Sequence, residues 1–207
     1  MIPRHQRILF AVLLAAALAM AGVLWHLRQR AHERLLAGED SAPTKAPEVA
    51  PTERATLLVA NDADGSLLMQ ARSMPLPADP GARARVILGE LLDLYAAPDA
   101  AHPVGGGAAG IAQVFLMPVA GSKTNSGDEL AVVNLTSNFV AGHPSGLETE
   151  TLTVLSICGT LRENLPHVTE VRFLVDGQQR PNLAGHADLT RTYLTADAAP
   201  AAGGNNP

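Results

Sequence analysis

The chain has 207 residues, of which 47% are apolar, 17% charged and only 3% aromatic, and it carries a net charge of −5. This length suits one ordinary domain with appendages, whose core must be built from aliphatic side chains. Nucleic-acid binding needs clustered cations to neutralise phosphates, so an acidic chain without a basic stripe excludes that class of partner.

An uncharged apolar run occupies residues 8–27, behind a short basic tail at 1–7. Twenty helical residues span about 30 Å, the thickness of a bilayer core, so the run predicts a transmembrane signal anchor. A cleaved signal peptide is the alternative, because Ala19-Met20-Ala21 fits an A-x-A cleavage site. We favour the anchor, since apolar character continues past that site to Leu27. We therefore expect a single-pass protein of the bacterial cell membrane whose soluble domain lies outside the cytoplasm.

Residues 28–54 are predicted to form a juxtamembrane segment and a linker, because prolines recur there without a hydrophobic period. The tail at 196–207 is predicted to be disordered on similar grounds. The expected domain is the intervening segment, 55–195. It holds 8 Lys or Arg residues against 14 Asp or Glu residues, so the domain is acidic by itself.

The domain is expected to begin with a β-hairpin, whose strands at 56–60 and 66–72 flank the turn NDADG at 61–65. The acidic residues of this turn suggest a calcium loop, but they match only scattered positions of the EF-hand series. We therefore interpret the segment as an ordinary turn.

Asp79-Pro80 predicts the start of a helix, with Asp as the N-cap and Pro at the first helical position, and Pro98 predicts its end. Apolar residues at three- and four-residue spacing give this helix one apolar stripe. They are Ala84, Ile87, Leu88, Leu91, Leu94 and Tyr95. The glycine-rich segment at 103–110 lacks the Lys and Ser/Thr of a phosphate loop, so we interpret it as a flexible loop.

Two strands are predicted next, at 112–118 and 130–136, and the second is apolar on both faces, as an internal strand should be. Ser145 and Glu148 match a capping box, which predicts a helix that runs to about Asn164. One face of this helix is apolar through Leu152, Leu155, Cys158, Leu161 and Leu165. A last strand follows, in which Val171, Phe173 and Val175 share one face.

Two segments near the C-terminus, FLVDG at 173–177 and GHADL at 185–189, resemble the signature of the GerMN domain (sporulation and spore germination protein GerM). The strand LAVVNLT, followed by Asn138-Phe139, resembles the VVDLS segment of the same family, with Asn134 in place of the usual Asp. The resemblance covers roughly residues 56–194. It implies an α/β module, usually exported and anchored to a membrane or lipid, which is associated in sporulating bacteria with envelope assembly and germination.

The order of the elements predicts the fold class. A hairpin, a helix, two strands, a second helix and a last strand are satisfied by an α/β fold with one small mixed β-sheet. Two amphipathic helices pack on one face of that sheet, because each helix has a single apolar stripe. The domain is preceded by one N-terminal transmembrane helix.

The histidines do not predict a metal site. His102, His143 and His167 each adjoin a proline in a predicted loop, a usual place for surface histidines. His186 and Asp188 are two residues apart on a predicted strand and so share a face. This pair could hold half of a zinc site, but no further Cys, His or Asp cluster supplies the other ligands.

Covalent catalysis is not indicated either. No G-x-S-x-G motif accompanies the histidines and acids, and Ser145 is explained as a helix cap. Cys158 is expected to face the core as a small inert hydrophobe, since a reactive cysteine needs an exposed thiolate. We therefore predict no enzyme, no catalytic residue, no cofactor and no metal.

The expected function is that of an anchored, non-catalytic module that binds protein or cell-wall partners in envelope assembly, sporulation or germination-type processes. An exposed sheet edge could carry such binding by strand addition. Peptidoglycan as the partner and a homo-oligomeric state both stay open. The alternative is an envelope hydrolase or a small-ligand-binding enzyme with an unrecognised site.

Overall fold

The computed structural model describes residue 6 and residues 19–25, 51–119, 127–198 and 200. The chain divides into two units, Met1–Glu48 and Val49–Pro207. In the first unit residues 19–25 are helical, while the rest of the predicted anchor and most of the predicted linker lie outside the described residues. Over the part of the chain that is described, no helix is both long and apolar enough to cross a membrane.

The second unit is an α/β structure, as predicted. Its strands are β1 (Thr52–Asn61), β2 (Ser66–Pro75), β3 (Ile111–Pro118), β4 (Glu129–Leu135), β5 (Val168–Val175) and β6 (Tyr193–Leu194). Its helices are α1 (Pro80–Tyr95), α2 (Ser137–Gly142) and α3 (Leu147–Asn164), with 3-10 turns at Gly107–Gly110 and Thr195–Asp197. The elements thus extend slightly beyond the predicted domain at both ends.

The strands form two sheets rather than the single sheet predicted. β1 and β2 are an antiparallel pair, and the mixed second sheet has the order β3-β4-β5-β6, with β4 and β5 parallel. The free edge of β1 accepts no further strand because helix side chains occupy it. Its amides at Thr56, Leu58 and Ala60 donate to Asn164 Oδ1, Thr160 Oγ1 and Tyr95 Oη at 3.0, 2.9 and 3.0 Å.

Helix α1 begins and packs as its sequence predicts. Asp79 is the N-cap and its Oδ1 accepts from the Ala82 amide at 2.7 Å. The predicted stripe is buried except for Leu94, which is half-buried, and Leu92 is buried as well. The helix packs against β3 and the 3-10 turn, so the glycine-rich segment is folded rather than a loose loop. The Ala108 amide in that turn donates to Asp93 Oδ1 at 2.6 Å.

Helix α3 is buried over more of its circumference than one apolar stripe predicts. It lies against β1 on one side and β5 on the other, so polar residues between the apolar ones are enclosed too. Thr153, Ser156 and Thr160 have no exposed surface. Gly159 leaves room for the chain beyond β6, because an added Cβ would lie 3.2 Å from the carbonyl oxygen of Ala198.

The predicted capping box is wrong by one residue. The N-cap of α3 is Gly146, and no side chain caps it. Glu150, not Glu148, reaches back to the cap, since the Gly146 amide donates to Glu150 Oε1 at 3.2 Å. The reason is tertiary: Glu150 is drawn inward by a segment far along the chain, described below.

Candidate binding surface and buried polar clusters

One face of the four-stranded sheet packs against the helices and the other carries exposed apolar side chains. Side chains alternate along a strand, so Val114, Val133 and Phe173 point to the core and their neighbours point away from it. The register places these outward residues in three rows, one of which is Gln113–Asn134–Leu174. The other two rows, which we call the outer face, are Phe115–Val132–Arg172 and Met117–Leu130–Glu170–Leu194.

The exposed apolar side chains of the outer face lie on the two edge strands of the sheet, β3 and β6, and β5 contributes Arg172 and Glu170 between them. Phe115 and Met117 are each 45% exposed and Leu194 is 50% exposed. Val132, on the inner strand β4, is only 8% exposed. Exposed apolar side chains that share one surface are typical of sites that bind another protein.

A groove of about 820 Å³ runs beside the outer face, between the start of α1 and β3. Gly81 lies so close to β3 that an added Cβ would be 2.8 Å from the Val114 carbonyl oxygen. Arg85 Nε donates to the Ala112 carbonyl oxygen at 3.0 Å, which ties α1 to the strand. Phe115 and Met117 line both this groove and the outer face, so the two form one continuous surface.

Two histidines that were predicted at the surface are instead in the core. His102 has no exposed surface and His143 is 6% exposed, whereas His167 is exposed as predicted. His102 Nδ1 lies 2.5 Å from Asp62 Oδ1, and its Nε2 lies 2.7 Å from Thr153 Oγ1. His143 Nε2 approaches the same hydroxyl at 2.8 Å.

The order Asp62, His102, Thr153 is that of a carboxylate, a base and a hydroxyl nucleophile. The hydroxyl is fully enclosed, however, so no substrate can reach it. It also carries a single proton while two imidazole nitrogens and the Thr149 carbonyl oxygen, at 3.1 Å, face it, so at least one imidazole must donate to it.

The protonation of His143 fits this constraint. Burial lowers the pKa of His143, which favours its neutral form. Its Nδ1 lies 2.7 Å from the Pro144 carbonyl oxygen and therefore carries the proton, so its Nε2 accepts from Thr153. The cluster thus joins the hairpin turn, two loops and α3.

Glu150 holds the GHADL segment against α3. Its side chain is fully buried and accepts from the amides of Ala184, His186 and Ala187 at 3.0, 2.8 and 2.9 Å. His186 Nδ1 adds a bond to Glu150 Oε1 at 2.9 Å. Burial raises the pKa of Glu150, but the hydrogen bonds from His186 and the amides outweigh it and lower the pKa to about 2.

His186 and Asp188 do not act as a pair. Residues 185–189 are bends rather than a strand, with one isolated bridge between Asn182 and Asp188. Asp188 Oδ1 accepts from the amide and hydroxyl of Thr190 at 2.8 and 2.6 Å, while His186 bonds to Glu150. Within the described residues no group of three or more His, Cys, Asp or Glu side chains is placed to hold a metal ion.

Other residues singled out in the sequence also serve the fold. Asn134, which replaces the usual Asp of the GerMN pattern, accepts from the Gly177 amide at 2.8 Å. Asp176 has a φ of 47° and accepts from the Ser137 amide at 3.2 Å. Cys158 is buried as predicted, and burial raises the pKa of its thiol, which keeps it protonated. The FLVDG turn therefore joins β4, β5 and α2 through hydrogen bonds.

Residues 57–181 match the family model described as Germane, sporulation and spore germination, which is more than half of the chain. The chain belongs to the Germane family. The resemblance to GerMN domains that the sequence motifs indicated is thereby confirmed. No curated protein sequence matches this Germane chain.

Three solved structures are similar to this Germane protein. The tandem GerMN domains of the sporulation protein GerM from Bacillus subtilis give 15% identity and a TM-score of 0.43, covering 71% of this chain and 48% of that chain. A putative lipoprotein from Clostridium perfringens gives 17% identity and a TM-score of 0.37, with 74% and 95% covered. The first GerMN domain of the Bacillus subtilis protein gives 15% identity and a TM-score of 0.35, covering 67% of this chain and 93% of that chain. This Germane chain thus spans about half the length of the tandem-domain chain.

Sequence patterns missed the main features of this site. The alternation at residues 113–117 predicts a strand, but it does not say which face other elements cover. The only signal for Glu150 is a carboxylate beside the apolar stripe of its helix, and such a residue is ordinarily exposed. The contacts of Thr153 join residues up to 51 positions apart, so no local pattern contains them.

Proposed function

We propose that this Germane protein is a non-catalytic module that binds a protein partner through its outer face in sporulation- or germination-type processes of the cell envelope. The single observation that carries the proposal is the pair of exposed apolar side chains, Phe115 and Met117, which the outer face shares with the groove at β3. Apolar surface of this kind gains free energy by leaving water, at about 25 cal/mol per Å² buried. A protein surface can cover it, whereas a glycan strand offers mainly hydroxyl groups.

The titratable clusters support a role without catalysis. The Thr153 hydroxyl and both imidazoles beside it are buried, and the carboxylate of Glu150 is saturated by hydrogen bonds within the fold. A catalytic base or nucleophile has to reach its substrate, and these groups do not. They serve instead to hold the hairpin turn, two loops and the GHADL segment against α3.

We further propose that the apolar run at 8–27 anchors the protein to the membrane, with the Germane domain on the outer side. Its sequence, long enough for a bilayer and free of charge, supports this. A reporter fused after Pro207 tests the orientation. A periplasmic-type reporter should be active and a cytoplasmic one inactive, and the opposite result would exclude an exported domain.

Photo-crosslinking tests the outer face in living cells. A photoreactive amino acid replaces Phe115 in the full chain, and as a control it replaces Leu147, which is 69% exposed at the start of α3. We expect a discrete protein adduct from position 115 and none from 147. Phe115→Glu should abolish the adduct formed from a probe at Met117, and Leu147→Glu should leave it unchanged. Equal labelling from both positions, or hydrolysis of purified peptidoglycan by the full chain, would contradict the proposal.

A further inference from the structure

The hairpin presents a second feature, the outer edge of β2. In β1 the backbone amides of Thr56, Leu58 and Ala60 donate to helix side chains, so the backbone N–H and C=O groups of these alternate residues point away from β2. The register of the hairpin is continuous, and the backbone groups of an antiparallel strand alternate in direction, so the same alternation applies to β2. The residues of β2 whose N–H and C=O groups point away from β1 are Leu67, Met69, Ala71 and Ser73.

Nothing in the described part of the chain hydrogen-bonds to these edge groups. Natural proteins usually protect such an edge with lysine, a central proline or a bulge. β2 has no lysine and no bulge, and its proline stands at its last position. Its one charged residue, Arg72, is held by Glu90 at 3.3 Å. Leu68 and Met69 lie on opposite faces of the strand and are 51% and 55% exposed.

We propose that β2 pairs with β2 of a second copy of this chain, antiparallel across a twofold axis, so that two hairpins make one four-stranded sheet. The register that places Gln70 opposite Gln70 of the second copy uses every outward residue, since Leu67 then meets Ser73 and Met69 meets Ala71. Each such pair exchanges two hydrogen bonds, which gives about eight in all. This interface does not involve the outer face and stands apart from the function proposed above.

Charge favours a second copy at this edge. The domain is acidic, so two copies repel each other over most of their surfaces. β2 contains neither Asp nor Glu, so two copies that meet along β2 bring no acidic side chains of this strand together. In the proposed register Arg72 lies opposite Leu68 rather than opposite another Arg. Like charges directly across a strand pair are destabilising, and the symmetric pairing avoids them.

Disulfide trapping tests the register. Gln70 would form a pair without backbone hydrogen bonds across the axis, with Cα atoms about 4.5 Å apart, which a disulfide can bridge. Gln70→Cys in the full chain in membranes should give a covalent dimer upon mild oxidation, because the native Cys158 is buried. Leu147→Cys, which is also at an exposed position, should give none. A monomer from Gln70→Cys, or an adduct of Gln70→Cys to a different protein only, would overturn the proposal.

A second pair of variants separates loss of the interface from loss of folding. Ala71→Pro removes an outward N–H without removing a bond to β1, so the hairpin should persist while the dimer Kd in detergent rises at least tenfold. If the melting temperature of Ala71→Pro falls, the interface is tested with Met69→Lys instead, because this variant places one ammonium group from each copy at the β2–β2 interface. Dimers of unchanged Kd in Met69→Lys would refute the interface. If the probe at position 115 gives no adduct while the β2 dimer still forms, only the outer-face proposal is rejected.

Discussion

Replacing Glu150 by Gln tests how the Germane fold is held together. Glu150 Oε1 accepts from the Gly146 amide and from His186 Nδ1, and Oε2 accepts from the amides of Ala184, His186 and Ala187. If Oε2 becomes the NH2 group, three backbone amides face another donor. If Oε1 becomes the NH2 group, the Gly146 amide faces another donor, while His186 Nδ1 can accept in its other tautomer. Each unsatisfied buried donor costs about 1–3 kcal/mol, and the Gln amide adopts the orientation that leaves the fewest, so we expect a loss of about 1–3 kcal/mol in the free energy of unfolding.

The control is Glu148→Gln, two residues earlier on the same helix. The capping-box interpretation makes Glu148 the stabilising residue, whereas in the structure it is exposed, and we expect a change within about 0.5 kcal/mol. Urea denaturation of the full chain, followed by circular dichroism, measures both. A larger loss in Glu148→Gln, or no loss in Glu150→Gln, would refute the assignment.

The pH dependence of the same pair follows from the pKa. A carboxyl group whose pKa falls from 4.5 to about 2 upon folding stabilises the folded state above pH 4.5, and that stabilisation is lost as the pH falls toward 2. The stability difference between the native chain and Glu150→Gln should therefore shrink over that interval. A difference that grows on acidification would show that the charge of Glu150 does not stabilise the fold.

Three further outcomes are expected. Thr153→Val should lower the free energy of unfolding by about 2–4 kcal/mol in urea titrations, because it strips both buried imidazoles of a partner, while Thr151→Val should change little; equal effects would argue against the cluster. Gly159→Ala should cost about 1–3 kcal/mol, since its Cβ would lie 2.4 Å from a leucine of β1, whereas Gly142→Ala has open space and serves as the control. Cys158 should resist thiol reagents until the chain is denatured, because it is buried and its thiol pKa is raised; rapid labelling of the native chain would contradict this.

The polar contacts show why part of the site could not be predicted. His102 adjoins a proline in a loop, and locally that pattern is typical of a surface residue. Its burial results from partners at Asp62 and Thr153, which lie 40 and 51 residues away. Glu148 and Glu150 are both glutamates in the first turn of α3, where the helix dipole favours either of them. Only the docking of residues 184–187 distinguishes the two.

The sequence alone determined the main elements of this Germane domain and their order, though not α2 or β6, because hydrophobic periodicity, proline and capping signals act over a few residues. The α1 stripe, the interior strand β4 and the burial of Cys158 follow from such local patterns. Only the tertiary structure decided that the hairpin forms its own sheet, that Glu150 anchors the GHADL segment, and that the outer face and the β2 edge stay uncovered by the described residues. These features depend on which surfaces meet, and contacts between residues distant in the chain carry no signal in any one stretch of sequence.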